Sequence, residues 1–141
     1  MAKLSFYNNS VMCNSITIQD NKEICLRYLA RARKDSNLCE TINNSYSKDL
    51  CYQYAGESAI NSTVCDKIID LNLKDECISS VGSKSLDIGL CKTIVNQIRR
   101  DTCIRVIAQT LRDFSICEEI QNSYDKNNCY SVIRQLNNST D

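Results

Sequence analysis

The residues of this chain best suited to chemistry are its ten cysteines: Cys13, Cys25, Cys39, Cys51, Cys65, Cys77, Cys91, Cys103, Cys117 and Cys129. A cysteine can act as a nucleophile, bind a soft metal or close a disulfide, and spacing separates these roles. The separations alternate 12 and 14 along the whole chain, a period of 26 residues. Structural zinc asks for close pairs of the C-x₂-C kind, and there are none. Haem attachment needs C-x-x-C-H, which is also absent. A cuprous store in a helical bundle would place thiolates one turn apart, which these separations do not allow. A nucleophilic cysteine needs a base, and the sequence has no histidine. The adjacent acids Asp75–Glu76 and Glu118–Glu119 point apart on a helix, and no glycine-rich phosphate loop occurs. Disulfides remain. The expectation is a protein without catalytic residues, metal or cofactor, and so not an enzyme.

The elements around the cysteines repeat with them. Isoleucine follows each first cysteine by three residues, at Ile16, Ile42, Ile68, Ile94 and Ile120. A base precedes each second cysteine by three, at Lys22, Lys48, Lys74, Arg100 and Lys126. An apolar residue follows it by four, at Leu29, Ala55, Val81, Ile107 and Ile133. Asn9, Asp35, Asn61, Asp87 and Asp113 stand four before each first cysteine, where a helix N-cap is expected. A fixed period of this length signals a repeat architecture. With no proline and three glycines in 141 residues, helix is favoured over a turn-rich β fold.

Each repeat therefore reads as two short helices. The first is expected to run about nine or ten residues, at the helical i, i+1, i+4 spacing of Leu38, Cys39 and Ile42. The second opens near the recurring base. In four copies an acid comes next, Glu23, Asp49, Asp75 or Asp101, suited to the positive end of the helix dipole. A small residue lies five past the second cysteine, at Ala30, Gly56, Gly82 and Ala108, and Arg134 replaces it in the last copy. The fold expected is all-α: an α-solenoid of five 26-residue helical hairpins, each closed by one disulfide. Residues 1–8 form an N-terminal extension, with Leu4, Phe6 and Tyr7 placed to cover the open end. Residues 9–136 form a single domain, and 137–141 a disordered tail.

Hairpin geometry selects the cysteine partners. Within a repeat, Cys39 and Cys51 flank the turn almost symmetrically, whereas Cys51 and Cys65 flank the next turn unequally. Neighbouring helix axes lie about 8–10 Å apart, which brings facing Cα atoms within disulfide range. The pairs expected are Cys13–Cys25, Cys39–Cys51, Cys65–Cys77, Cys91–Cys103 and Cys117–Cys129, each worth roughly 3 kcal/mol by loop entropy.

The stapled hairpin resembles the secreted cysteine-rich, tetratricopeptide-like repeat proteins of bacteria, in design and over residues 9–136. The frame D-S-x-L-C-E-x-I…K-D-x-C-Y of residues 35–52 is similar to cysteine repeats in uncharacterised archaeal proteins. The resemblance implies the fold and brings no activity.

Charge and apolar content bear on partners. Net charge is zero overall and runs +2, −2, −2, +3, −2 over residues 13–38, 39–64, 65–90, 91–116 and 117–141. Nucleic acid is not expected as a partner, because a continuous basic stripe is missing; Arg99, Arg100, Arg105 and Arg112 make only a local cluster. No apolar run approaches the roughly 18–20 residues that span a bilayer. Repeats three and four carry apolar residues where their sisters are mostly polar, at Ile69, Leu71, Leu73, Val95 and Ile98. They are read either as inter-repeat packing or as a contact surface.

The preferred function is a non-enzymatic structural or protein-interaction repeat protein, outside the cell or on its surface, self-assembling head to tail into filaments. One alternative is a small-ligand or glycan-binding module on the concave face, using Tyr46, Tyr52, Tyr124 and Tyr130. Another is an adaptor in the cytoplasm of a hyperthermophile, where disulfides also persist. N-glycosylation sequons stand at Asn8, Asn43, Asn61, Asn137 and Asn138. Peptide mapping of unreduced protein should return only the five intra-repeat pairs and no thiol; a Cys51–Cys65 linked peptide would overturn the pairing.

Overall fold

A computed structural model describes residues 10–139 of the chain. It is an all-α repeat of five helical hairpins, and no strand occurs among the described residues. The hairpins comprise α1 (Ser10–Asn14) with α2 (Gln19–Arg33), and the 3₁₀ helix η1 (Ser36–Thr41) with α3 (Ser45–Ala59). Next come α4 (Ser62–Cys65) with α5 (Leu71–Ser85), and α6 (Ile88–Lys92) with α7 (Gln97–Leu111). The last pairs α8 (Phe114–Cys117) with α9 (Ser123–Asn138). Each is closed by one disulfide with Cα atoms 5.5–5.9 Å apart: Cys13–Cys25, Cys39–Cys51, Cys65–Cys77, Cys91–Cys103 and Cys117–Cys129.

The two helices of a hairpin are unequal, and the first is shorter than the roughly nine or ten residues expected. The first is a single turn of four to six residues and the second runs 15 or 16. Two caps nine residues apart impose this. Asp35, Asn61, Asp87 and Asp113 cap the short helix through their side-chain oxygens. Asn44, Asp70, Asn96 and Asn122 cap the long one, each four residues before the recurring base. An Asx residue held in extended backbone cannot also continue the preceding helix. Between the caps the isoleucine N–H closes a tight turn on the cysteine carbonyl, as in Ile42 to Cys39 at 3.1 Å.

The first four long helices each end on a residue with positive φ: Lys34, Ile60, Leu86 and Arg112, at 51–57°. The N–H of the following cap residue bonds back to the small residue, Asp35 to Ala30 and Asn61 to Gly56, which is the Schellman arrangement. For Ile60 this conformation is costly, because a β-branched residue resists the left-handed region. The last helix departs from its sisters. α9 runs through Asn138, so the expected disordered tail at 137–141 is corrected: Asn137 and Asn138 are helical, and only 140–141 lie outside the described residues. The N-terminal extension 1–8 likewise lies outside them.

The chain divides into two compact units at Cys77/Ile78, within α5. A hairpin in a repeat array contacts only its neighbours, so no one core need span the chain. In the first unit the core is built from Leu26, Leu29, Ala30, Ile42, Tyr52, Ala55, Val64, Ile68 and Leu73 around buried disulfides. In the second it is built from Ile78, Val81, Ile94, Ile104, Ile107, Ile116, Ile120 and Ile133.

Two contacts couple one hairpin to the next. The small residue seats the following disulfide: a Cβ on Gly56 would stand 3.0 Å from Cys77 Sγ and 3.4 Å from Cys65 Sγ. On Gly82 it would stand 3.3 Å from both Cys91 Sγ and Cys103 Sγ. The second contact is the recurring acid, which does not serve the dipole of its own helix. Glu23, Asp49, Asp75 and Asp101 are buried, at 0–5 % exposure. Asp49 accepts the backbone N–H groups of Ile69 and Asp70, at 3.2 and 2.9 Å. Asp101 accepts those of Gln121 and Asn122, at 3.2 and 3.0 Å. The recurring base does lighter work: Lys48, Lys74 and Lys126 pair with Glu40, Asp66 and Glu118 across their own hairpins. Such exposed pairs contribute about 0–1 kcal/mol.

Removing a carboxylate that satisfies two buried donors costs about 2–3 kcal/mol. Asp101→Ala should lose that much in urea unfolding, and Asp101→Asn, which keeps one acceptor, roughly half as much. Equal stability of Asp101→Ala and the parent would show that the contact is idle.

Candidate interaction surfaces

The sequence singles out five apolar residues in repeats three and four, and the structure divides them. In the first unit Ile69 and Leu71 are 80 % and 62 % exposed. Both lie at the turn into α5, where Asp70 caps the helix and the Ile69 N–H is held by Asp49. Leu73 is corrected: it is buried, because it falls on the inward side of the first turn of α5. In the second unit Val95 and Ile98 are 68 % and 73 % exposed at the turn into α7. Packing between repeats therefore does not account for these four side chains.

Two tyrosines join them by repeat position. Tyr46 and Tyr124 stand 52 and 26 residues either side of Ile98 in the repeat frame, at the start of their own long helices, and are exposed. The four tyrosines named for glycan binding thus do not form one set. Tyr52 is buried and donates to Glu40 Oε1 at 2.7 Å. Burial and that bond raise its hydroxyl pKa well above the ordinary tyrosine value. The same hydrogen bond, helped by Lys67, lowers that of Glu40. Tyr130 is half-buried and stacks on Phe114, with centroids 6.0 Å apart. Sequence reasoning missed the exposure of Tyr46 and Tyr124 as a group with Ile98; the signal was their shared register.

Among the described residues no cysteine is free and no group of acids, cysteines or histidines is arranged to hold a metal ion. No described helix is long and apolar enough to cross a membrane. Of the basic cluster, Arg100 is engaged locally, donating to the Ile94 carbonyl at 3.2 Å and to Gln121 at 2.8 Å. Asn43, Asn61, Asn137 and Asn138 are exposed, while Asn8 lies outside the described residues. Asn61 Oδ1 is engaged as a cap, accepting from the N–H and hydroxyl of Thr63.

One apolar groove stands out in the first unit. Met12, Ile16, Ile24, Cys25 and Tyr28 line a depression of about 600 Å³ on the first hairpin. Ile16 and Cys25 are half-exposed there, although their counterparts in the second hairpin, Ile42 and Cys51, are buried. The opposite side of the same hairpin is engaged. Glu23 accepts from Gln19 Nε2 at 2.9 Å and from the Asn44 N–H at 3.5 Å. The Gln19 bond outweighs burial, with Ser47, Asn44 and Asn43 adding to it, and lowers the Glu23 pKa below 4.5.

No family model, curated protein or solved structure matches the chain.

Glu23 sets a pH dependence. Its folded pKa is lowered, so its contribution is complete above the ordinary value of 4.5 and is lost as pH falls through the folded value. Protection of the Asn43 and Asn44 amides from hydrogen exchange should be flat above that pH and decline in acid. In Glu23→Gln this acid-side loss should vanish; an unchanged profile would assign the effect to other groups.

Proposed function

We propose that this is a non-enzymatic protein-interaction repeat protein that works outside the cell or at its surface. The carrying observation is the bulky apolar side chains left exposed at the turns into the long helices of each unit: Ile69 and Leu71 in one, Val95, Ile98 and Tyr124 in the other. These side chains are exposed outside the folded core, and large exposed apolar groups that recur at the turns into the long helices favour a protein partner. Five closed disulfides with no free thiol among the described residues support an oxidising compartment. Catalysis has no histidine to use, and the cysteines that could attack are bonded to one another.

The head-to-tail filament has less support than the interaction role. The fifth hairpin carries Asn127 where the others carry the buried acid and Arg134 where they carry the disulfide seat. A copy stacked in register would meet a long cation where a glycine or alanine is needed. The glycan-binding alternative loses its tyrosine set, since Tyr52 and Tyr130 are committed to packing.

Ile69→Glu and Val95→Glu should leave the melting temperature within a few degrees of the parent, because surface changes cost roughly ±0.5 kcal/mol. The double variant should lose the partner that chemical cross-linking captures on the cell surface or in medium with the parent protein. A collapsed fold would return these residues to packing, and unchanged capture would move the interaction elsewhere.

A further inference from the structure

The groove on the first hairpin is the side that an inner hairpin turns toward its predecessor. The second hairpin shows what that side does when occupied. Its Tyr54 ring lies 5.7 Å from the Arg31 guanidinium, and its Ser58 hydroxyl donates to the Arg31 carbonyl at 2.8 Å. Tyr28 occupies the Tyr54 position in the first hairpin, and Ile24 the Leu50 position. They are 57 % and 40 % exposed, and with Met12 and Ile16 they form the groove of about 600 Å³.

Polar groups mark the same side. The N–H groups of Ile69 and Asp70 end on Asp49 of the preceding hairpin, and those of Gln121 and Asn122 end on Asp101 of theirs. The matching groups in the first hairpin, on Thr17 and Ile18, have no acceptor among the described residues. The Cys13–Cys25 disulfide is likewise open at Cys25, whereas the third and fourth disulfides meet Gly56 and Gly82.

We propose that this side of the first hairpin docks the outgoing helix of another hairpin of the same repeat class. The complementary helix is specified by the couplings of Glu23, Asp49 and Asp101 to the hairpins that follow them. It carries Asp or Glu, apolar residues three and six positions on, and Gly or Ala at the seventh, as in Glu23, Leu26, Leu29 and Ala30. The carboxylate accepts from Thr17 and Ile18, the apolar pair fills the groove over Ile24 and Tyr28, and the small residue seats the disulfide. Continuity with the interface between the first two hairpins is the ground for this occupant. Two others fit less well. Residues 1–9, MAKLSFYNN, contain no acid. A second copy of this chain would present Asn127 and Arg134 in place of acid and seat. The proposal involves residues distinct from Ile69 and Val95, so it stands or falls separately from the interaction role argued above.

The test gives the chain the missing outgoing side and uses the native groove as receptor. Full-length protein carrying Asn127→Asp, Arg134→Ala and Tyr28→Glu is mixed with the parent protein and followed by sedimentation velocity. The three substitutions are at exposed positions, and far-UV helicity checks that the fold is kept. The expected result is a 1:1 complex, at least about tenfold weaker when the parent also carries Tyr28→Glu. The parent alone should stay monomeric. No complex across the accessible concentration range overturns the proposal. So does self-association of the parent through Tyr28, which would make a second copy the occupant. So does a complex that forms only after residues 1–9 are removed, which would make the chain's own segment the occupant.

Discussion

Each hairpin contains a helix of one turn, and a helix that short has no stability of its own in water. The disulfide is what holds it to the long helix beside it, and the rest of the fold follows from where that bond lies. It is buried in every hairpin but the first, against a residue that must be small because sulfur approaches to about van der Waals contact. That same small residue accepts the bond that ends its helix, Asp35 to Ala30 and Asn61 to Gly56. Helix termination, hairpin closure and stacking thus meet at one position per repeat.

The buried carboxylate completes the coupling. The turn between short and long helix exposes backbone N–H groups that the hairpin cannot satisfy itself. The preceding hairpin satisfies them with Asp49 or Asp101. A buried donor without an acceptor is costly, so this contact fixes which side of one hairpin faces the next. Apolar burial alone would tolerate sliding; a carboxylate holding two specific N–H groups does not. The exposed lysine–acid pairs add little by comparison.

Where the copies differ, structural demand is lifted. Ile69, Val95 and Ile98 replace mostly polar residues at turns that the fold leaves in solvent, and Tyr46 and Tyr124 stand in the same register as Ile98. The first hairpin keeps an apolar side with unaccepted N–H groups, and the fifth swaps acid and seat for Asn127 and Arg134. The repeated part of the sequence builds the scaffold, and the departures from it carry the surface chemistry.

The sequence by itself determined the all-α repeat, the hairpin unit, the five cysteine pairs and the first cap of the second to fifth hairpins. These are local: a cysteine twelve residues from its partner, or an Asp three residues from the N–H it binds, needs no knowledge of distant chain. It also marked the place of the small residue. The tertiary structure decided what depends on a neighbour. Glu23, Asp49, Asp75 and Asp101 read as dipole partners along the chain but are buried; for Asp49 and Asp101 the partner is a turn twenty residues away. The second row of caps shortened the first helix to a turn, because an Asx residue stops one helix as it starts the next. Leu73 went inward while Ile69 and Leu71 stayed out, since position on the helix first turn, not apolarity, sets burial there. Residue type alone cannot tell an apolar residue that packs from one that waits for a partner; only the side it occupies against the next hairpin can.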